Sequence, residues 1–329
     1  MKRRKVAAAT VSLAVQIVLF PLFICGYALF AASAFRFGRK TGASITALGP
    51  LFLRWMQHKL DLRHDDACDK LTLVLPGVSH PGLWMVSAPT LVAYRLTGIV
   101  PKVYRYPYPD HGNIPINHHA TARTSYFDTA IDRHRSNVRQ LVILGAGYDT
   151  RAYRQPVGTP LRCFEVDRPQ TQTRKREMIA IAGVDTSNVT FVSADFLREN
   201  WFDKLLEAGF TRSQPTFFLW EGVMMYLDRE AVETTLHTFA GSSAGSVVAF
   251  DYFSSEHLAS QPLSMRIARS SLKAGGESLR FGIPTSPSPK LQVAAFLASN
   301  GLTIEDQRDI ACDPGGRFAF AGMAIAVVQ

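Results

Sequence analysis

Acidic side chains are missing from Met1 through Leu60, and that absence accounts for the whole net charge of the chain. Nine of the 36 basic residues fall there (Lys2, Arg3, Arg4, Lys5, Arg36, Arg39, Lys40, Arg54, Lys59), leaving 27 basic against 27 acidic side chains in the remainder. A charge of +9 confined to one end fits attraction to anionic lipid headgroups, and the neutral remainder argues against a nucleic-acid groove. Cysteine is scarce too. Cys25, Cys68, Cys163 and Cys312 form no CxxC pair and no metal-ligand spacing, so reduced, mostly buried thiols are expected and no metal. Internal repeats are absent, and charged residues make up only 19% against 47% hydrophobic. Those proportions exclude disorder over most of the 329 residues, which have room for one large domain and an appendage.

Charge of either sign is missing from the whole of Val6 to Phe35, with Pro21 near the centre of the run. A helix needs about 20 such residues to cross a bilayer. One tilted span kinked at Pro21 competes with a re-entrant hairpin, and basic clusters on both sides of the run leave the positive-inside rule without a choice of orientation. Ala32-Ser33-Ala34 resembles a signal-peptidase site, but the run far exceeds the ~7–15 residues of a signal-peptide core. A membrane anchor over residues 1–40 is the expectation, with the main domain facing the cytoplasm. Leu51 to Leu62 suits either an amphipathic helix at headgroup level or an ordinary packed one. Leu71 to Tyr94 is a second uncharged run, in which Pro76, Pro81, Pro89, Gly77 and Gly82 argue against a regular spanning helix. Residues 41–119 therefore read as an apolar, helical cap.

Beyond the Pro- and Tyr-rich connector Pro101–Pro115, apolar runs alternate with helical stretches. Strands are expected at Gln140–Leu144, Leu161–Val166, Val189–Val192, Pro215–Trp220 and Ser246–Tyr252. Helices are expected at Pro169–Ala182, Trp201–Ala208 and Arg229–Ala240, the last capped by Asp228. A helix at Lys290–Ala298 and strands near Leu302–Asp306 and within Phe318–Val328 close the chain. This rhythm predicts an α/β, doubly wound, mostly parallel sheet of seven strands over residues 120–329, Rossmann-like in class, with a final antiparallel pair.

Open α/β sheets bind ligands beyond the carboxyl ends of their strands. Gly145 and Gly147 follow the first strand, where glycine lets backbone approach a ligand closely. Asp167 ends the second strand at the spacing from Gly145 that suits an adenosine ribose. Asp195 ends the third, placed to accept from an adenine amino group, and Glu221 ends the fourth. A buried carboxylate at Glu221 must be paired, protonated or met by a cationic ligand. A nicotinamide dinucleotide would want a third glycine where Thr150 stands, and Asp149 in the same turn would repel its pyrophosphate. S-adenosylmethionine carries no phosphate and two positive groups, and the acidic strand ends favour it.

Four ordered motifs carry a resemblance. Arg123-Thr-Ser-Tyr-Phe-Asp128, Leu144-Gly-Ala-Gly-Tyr-Asp-Thr-Arg-Ala-Tyr-Arg154, Phe164-Glu-Val-Asp-Arg-Pro169 and Glu221-Gly-Val-Met-Met-Tyr-Leu227 resemble the leucine carboxyl methyltransferase family, closest to its bacterial small-molecule O-methyltransferases. The resemblance covers about Ala120 to Gln329. It implies that Arg123 holds the methionine carboxylate of S-adenosyl-L-methionine and that Gly145 and Gly147 floor the site. By the same resemblance Asp167 binds the ribose, Asp195 and Phe196 the adenine, Glu221 lies at the methionine end and Tyr226 closes the acceptor side. Glu221 and Tyr226 are thus the candidate catalytic residues. A carboxylate acceptor needs no base, being ionised near pH 4; a phenol or enol would need one, for which His118 and His119 are candidates. The apolar cap and anchor suggest a small lipophilic acceptor. The rival readings are an NAD-dependent oxidoreductase and a catalytically silent, membrane-bound interaction protein.

Overall fold

The apolar runs of residues 140–253 are short, rich in Val, Phe and Leu, and mostly buried on both faces, as strands covered by helices on either side must be. The computed structural model describes residues 2–41, 46–105, 113–155, 161–196, 198–260, 270, 278–313 and 315–329. The middle of the Pro/Tyr-rich connector therefore lies outside the described residues. The strands are β1 (Gln140–Leu144), β2 (Arg162–Asp167), β3 (Val189–Ser193), β4 (Thr216–Trp220), β5 (Val247–Phe253), β6 (Thr303–Ile310) and β7 (Ala321–Val327). They form one seven-stranded sheet in the order β3-β2-β1-β4-β5-β7-β6. The first five are parallel, and β7 runs antiparallel to both β5 and β6. Strand order reverses between β1 and β4, so the carboxyl ends of β1, β2 and β4 flank the switch point where a ligand crevice belongs.

Two compact units make up the chain. The sheet unit comprises Pro107–Gly147, Arg151–Thr173 and Asp185–Gln329. Here α6 (His119–His134) buries Ala122, Tyr126, Phe127, Ala130 and Ile131 along one stripe, leaving Arg123 at its first turns. The sequence places α7 at Pro169–Ala182 with proline at its first position, and there it lies. After α8 (Trp201–Glu207), α9 (Arg229–Ala240) buries Val232, Thr235, Leu236 and Phe239 at helical spacing, and the Asp228 carboxylate caps it by accepting from Ala231 N. Phe239 packs on Phe218 at 4.7 Å and on Trp220 at 5.7 Å between ring centres, joining α9 to β4. Each such fully buried side chain contributes roughly 1.5–3 kcal/mol. Short α10 (Ser255–Ala259) and α11 (Pro289–Ser299) complete the unit.

The other unit comprises Met1–Tyr106, Tyr148–Thr150 and Arg174–Val184. Its helices are α1 (Lys2–Val18), α2 (Phe20–Thr41), α3 (Leu48–Lys59), α4 (Asp66–Val74) and α5 (His80–Thr97). The break between α1 and α2 falls at Leu19, two residues before Pro21, whose ring removes one N–H from the ladder. The ladder continues on either side, with Leu19 N donating to Val15 O at 3.0 Å and Phe23 N to Leu19 O at 3.1 Å. Among the described residues one helix, Phe20–Lys40, is long and apolar enough to cross a membrane by length and composition. The second uncharged run is broken over residues 75–79, which hold Pro76 and Gly77, and most of its remainder is the helix α5. Pro81 occupies the first turn, where no donor is required, Ser79 caps it, and only Pro89 interrupts the ladder. Leu51, Trp55 and Met56 of α3 are fully buried, so that helix is a packed one.

Candidate functional site

Beyond β1 the chain turns on two glycines with positive φ, Gly145 at 64° and Gly147 at 43°. Gly145 N and Ala146 N both donate to Val166 O, at 2.7 and 3.2 Å, which draws the turn against the end of β2. A Cβ on Gly145 would come within 2.2 Å of Val223 Cγ2, so Val223, from the loop after β4, lies directly on this turn. Gly145→Ala is expected to cost at least about 2 kcal/mol, combining about 1–2 kcal/mol for the left-handed backbone with the clash. Chemical denaturation measures it; a variant as stable as wild type would show that Val223 is not fixed there.

Asp167, the last residue of β2, is 8% exposed. One carboxylate oxygen accepts from Gly147 N at 2.5 Å and the other from Arg168 N at 2.6 Å. A carboxylate oxygen can accept more than one hydrogen bond. Ala194 N donates to Asp167 O at 2.9 Å, which brings the next residue, Asp195, beside it. Asp195 itself is partly exposed, 3.8 Å from Arg198 Nε. The ring of Phe196 tilts against Trp201 at 6.0 Å. Gly145, Gly147, Asp167 and Asp195 are therefore gathered at one edge of the sheet.

A second group of residues forms at the ends of β4 and β5. Glu221 receives Arg151 Nη1 at 2.5 Å and stands 3.0 Å from Arg123 Nε. Arg123 Nη1 donates to Asp251 Oδ2 at 2.8 Å, and Asp251 Oδ1 accepts from Gly222 N at 2.6 Å. On the far side, Arg151 Nε donates to Asp128 Oδ1 at 2.6 Å, and Arg154 Nη1 to Asp128 Oδ2 at 3.0 Å. The result is an alternating chain, Arg154–Asp128–Arg151–Glu221–Arg123–Asp251, with three charges of each sign. Burial alone would lower the pKa of Arg123, but Asp251 and Glu221 outweigh it and hold the guanidinium above its ordinary range. Glu221 is thus satisfied by arginines, and its burial does not by itself demand a cationic ligand. Tyr226, half-buried in the short helical turn Met224–Tyr226, donates its N–H to Val223 O at 2.9 Å, on the loop that covers Gly145.

Asp128 and Arg151 stand inside the recognised motifs, yet nothing in sequence pairs them with Glu221. Asp251 was detectable in principle, as a lone charge in the apolar strand VVAFDYF. Asp149 also behaves differently from expectation. It forms a buried ion pair with Arg54 at 3.1 Å, and its carbonyl accepts from Lys175 Nζ at 2.7 Å. Its charge is neutralised, so it cannot count against a pyrophosphate; the missing third glycine still does.

His119, one turn before Arg123, sets its ring edge-on to Phe253 at 6.3 Å. Burial, reinforced by Arg123, pushes its pKa down from 6.5 to about 4. It is therefore neutral at pH 7 and a weak base there. Because the folded value lies below the unfolded one, its contribution to stability is complete above pH 6.5 and is lost as pH falls towards 4. Thermal melts between pH 7 and 4 should show the wild type losing more stability than His119→Gln; parallel curves would contradict this.

Residues 104–240 match the leucine carboxyl methyltransferase family. A relative from Parafrankia sp., named as a candidate S-adenosyl-L-methionine-dependent methyltransferase, is 38% identical over 139 residues, 41% of this chain and 44% of its own. One of the same description from Mycolicibacterium paratuberculosis is 35% identical over 195 residues, 57% of this chain and 60% of its own. The chain thus spans about half the length of these curated relatives. A solved O-methyltransferase family protein from Burkholderia thailandensis superposes with a TM-score of 0.41 at 15% identity, covering 64% of this chain and 61% of that one. Arg123, Gly145, Gly147, Asp167, Asp195 and Glu221 all fall within the segment that matches the leucine carboxyl methyltransferase family model.

Proposed function

We propose that the chain is an S-adenosyl-L-methionine-dependent O-methyltransferase acting on a carboxylate or hydroxyl of a small lipophilic acceptor. The observation that carries this reading is Asp167, buried at the end of β2 beside the positive-φ turn of Gly145 and Gly147 and at the sheet's switch point. The residues fit such a cofactor. Asp167 offers a carboxylate to two ribose hydroxyls, and Asp195 and Phe196 offer a carboxylate and a ring to adenine.

When bound, the cofactor supplies an electrophilic methyl group on a sulfonium. The protein's part is to hold, orient and exclude water, effects that together supply about 7–11 kcal/mol in well-aligned reactions. Arg123 would present its guanidinium to the methionine carboxylate, kept in place by Glu221 and Asp251. Glu221 then acts by positioning Arg123 and Arg151, and Tyr226 would close the acceptor side. A carboxylate acceptor needs no base. For a hydroxyl acceptor His118 and His119 are the candidate bases, and the lowered pKa of His119 makes it a weak one.

The uncharged run 6–35 and its basic flanks support attachment to a membrane, with the catalytic domain on the cytoplasmic face where the cofactor is made. Mass spectrometry of lipid extracts incubated with the protein and isotopically methyl-labelled cofactor tests the proposal. A labelled carboxylic or hydroxylic lipid is the expected product. Cofactor binding without transfer to any acceptor would favour a silent interaction protein.

A further inference from the structure

Resting on that membrane attachment, we infer that α1 and α2 lie flat in one bilayer surface as a monotopic element instead of crossing it. The two helices share a single inward stripe. Ser12, Leu19, Phe23, Gly26, Phe30 and Ala34 follow one another at three-, four- or seven-residue spacing and are buried or half-buried within their own unit. At about 1.5 Å per residue the stripe runs for roughly 33 Å. Close approach holds it there. A Cβ on Gly26 would stand 2.4 Å from Val86 N, and one on Gly82 would stand 2.8 Å from Phe30 N, so α2 and α5 meet backbone to backbone and antiparallel.

The stripe roughly 100° further round the helices has no such cover. Leu13, Ile17, Phe20, Ile24, Tyr27 and Phe35 are 38–64% exposed and repeat at helical spacing, forming an apolar band beside the covered one. A helix that is apolar all round calls for a lipid environment on its bare side. Trp84 of α5, 50% exposed, adds a residue type suited to the headgroup level.

Two observations favour lying flat over spanning. Phe30, midway along α2, touches Phe52 at 5.6 Å, and two residues on from Phe52 is Arg54, whose guanidinium makes the buried pair with Asp149. Were Phe20–Lys40 an upright span, Phe30 would sit at its middle, and that pair and Lys175 would be carried towards the hydrocarbon centre, where ionised groups are costly. The exposed basic residues give the second. Arg4 and Lys5 stand at one end and Arg36, Arg39 and Lys40 at the other. Upright, one cluster must face the wrong compartment; flat, both reach the anionic headgroups of one leaflet. The occupant of the apolar band is therefore the headgroup and upper acyl region of the cytoplasmic leaflet of an anionic bilayer, entered to a depth of about 5–10 Å.

The full chain, reconstituted with phosphatidylglycerol-containing vesicles, allows a direct test. Nitroxide labels are placed one at a time at residues 13, 17, 20, 24, 27 and 35 in a Cys25→Ser, Cys312→Ser background, and their depth is read by power-saturation spin resonance. Lying flat predicts a similar shallow depth at every labelled position. A depth greatest at residue 27 and shallower towards residues 13 and 35 means a span and overturns the inference while leaving attachment intact. Failure to float with vesicles, self-association through this face, or recovery of a chain cleaved before Phe35 would remove attachment itself.

Discussion

Asp167→Ala is expected to abolish S-adenosylmethionine binding while leaving the sheet folded. Hydrogen bonds to a charged acceptor are each worth about 1.5–3 kcal/mol, so losing two ribose hydroxyls weakens affinity by roughly 10²–10⁴-fold. The substitution also releases Gly147 N, now held at 2.5 Å by the carboxylate, and loosens the turn that forms the cofactor floor. Isothermal titration reads the affinity, and a thermal melt checks the fold. Asp167→Asn keeps the shape and one acceptor oxygen, so it should fall between the two. Unchanged affinity in Asp167→Ala would remove this residue from the site.

Arg151→Met is expected to destabilise the sheet unit by about 3–5 kcal/mol, because it leaves three carboxylates, Asp128, Glu221 and Asp251, to two arginines, Arg154 and Arg123. The side chain is only 2% exposed, so water cannot replace it. Urea denaturation measures the loss. Adding Glu221→Gln to Arg151→Met should restore part of the stability, since removing both partners costs less than leaving one unpaired. Arg151→Met alone matching the stability of wild type would show that the ion chain does not brace the ends of β4 and β5.

Much of this architecture is legible in the sequence because it follows from local chemistry. The apolar runs at Gln140–Leu144 and Thr216–Trp220 can only be covered strands, and Asp228 with Glu230 announces the start of α9. Strand ends shift by a residue or more elsewhere, as at β2, where pairing with β3 carries the ladder through Asp167. The helix at His80–Thr97 is harder to read, since prolines at its first turn and in its interior look alike until the N-cap is known. Least legible is the pairing of charges. Asp128, Arg151, Glu221 and Asp251 meet only when α6, the turn after β1 and the ends of β4 and β5 come together, and no periodicity encodes that. Asp149 illustrates the converse: conspicuous in sequence as a lone negative charge, it is matched by Arg54.

Calorimetric titration of the wild-type chain with S-adenosylmethionine and, separately, with NADH weighs the central claim most directly. Saturable binding of the sulfonium cofactor, with no heat from the dinucleotide, is the predicted result; binding of NADH and not of S-adenosylmethionine would contradict it.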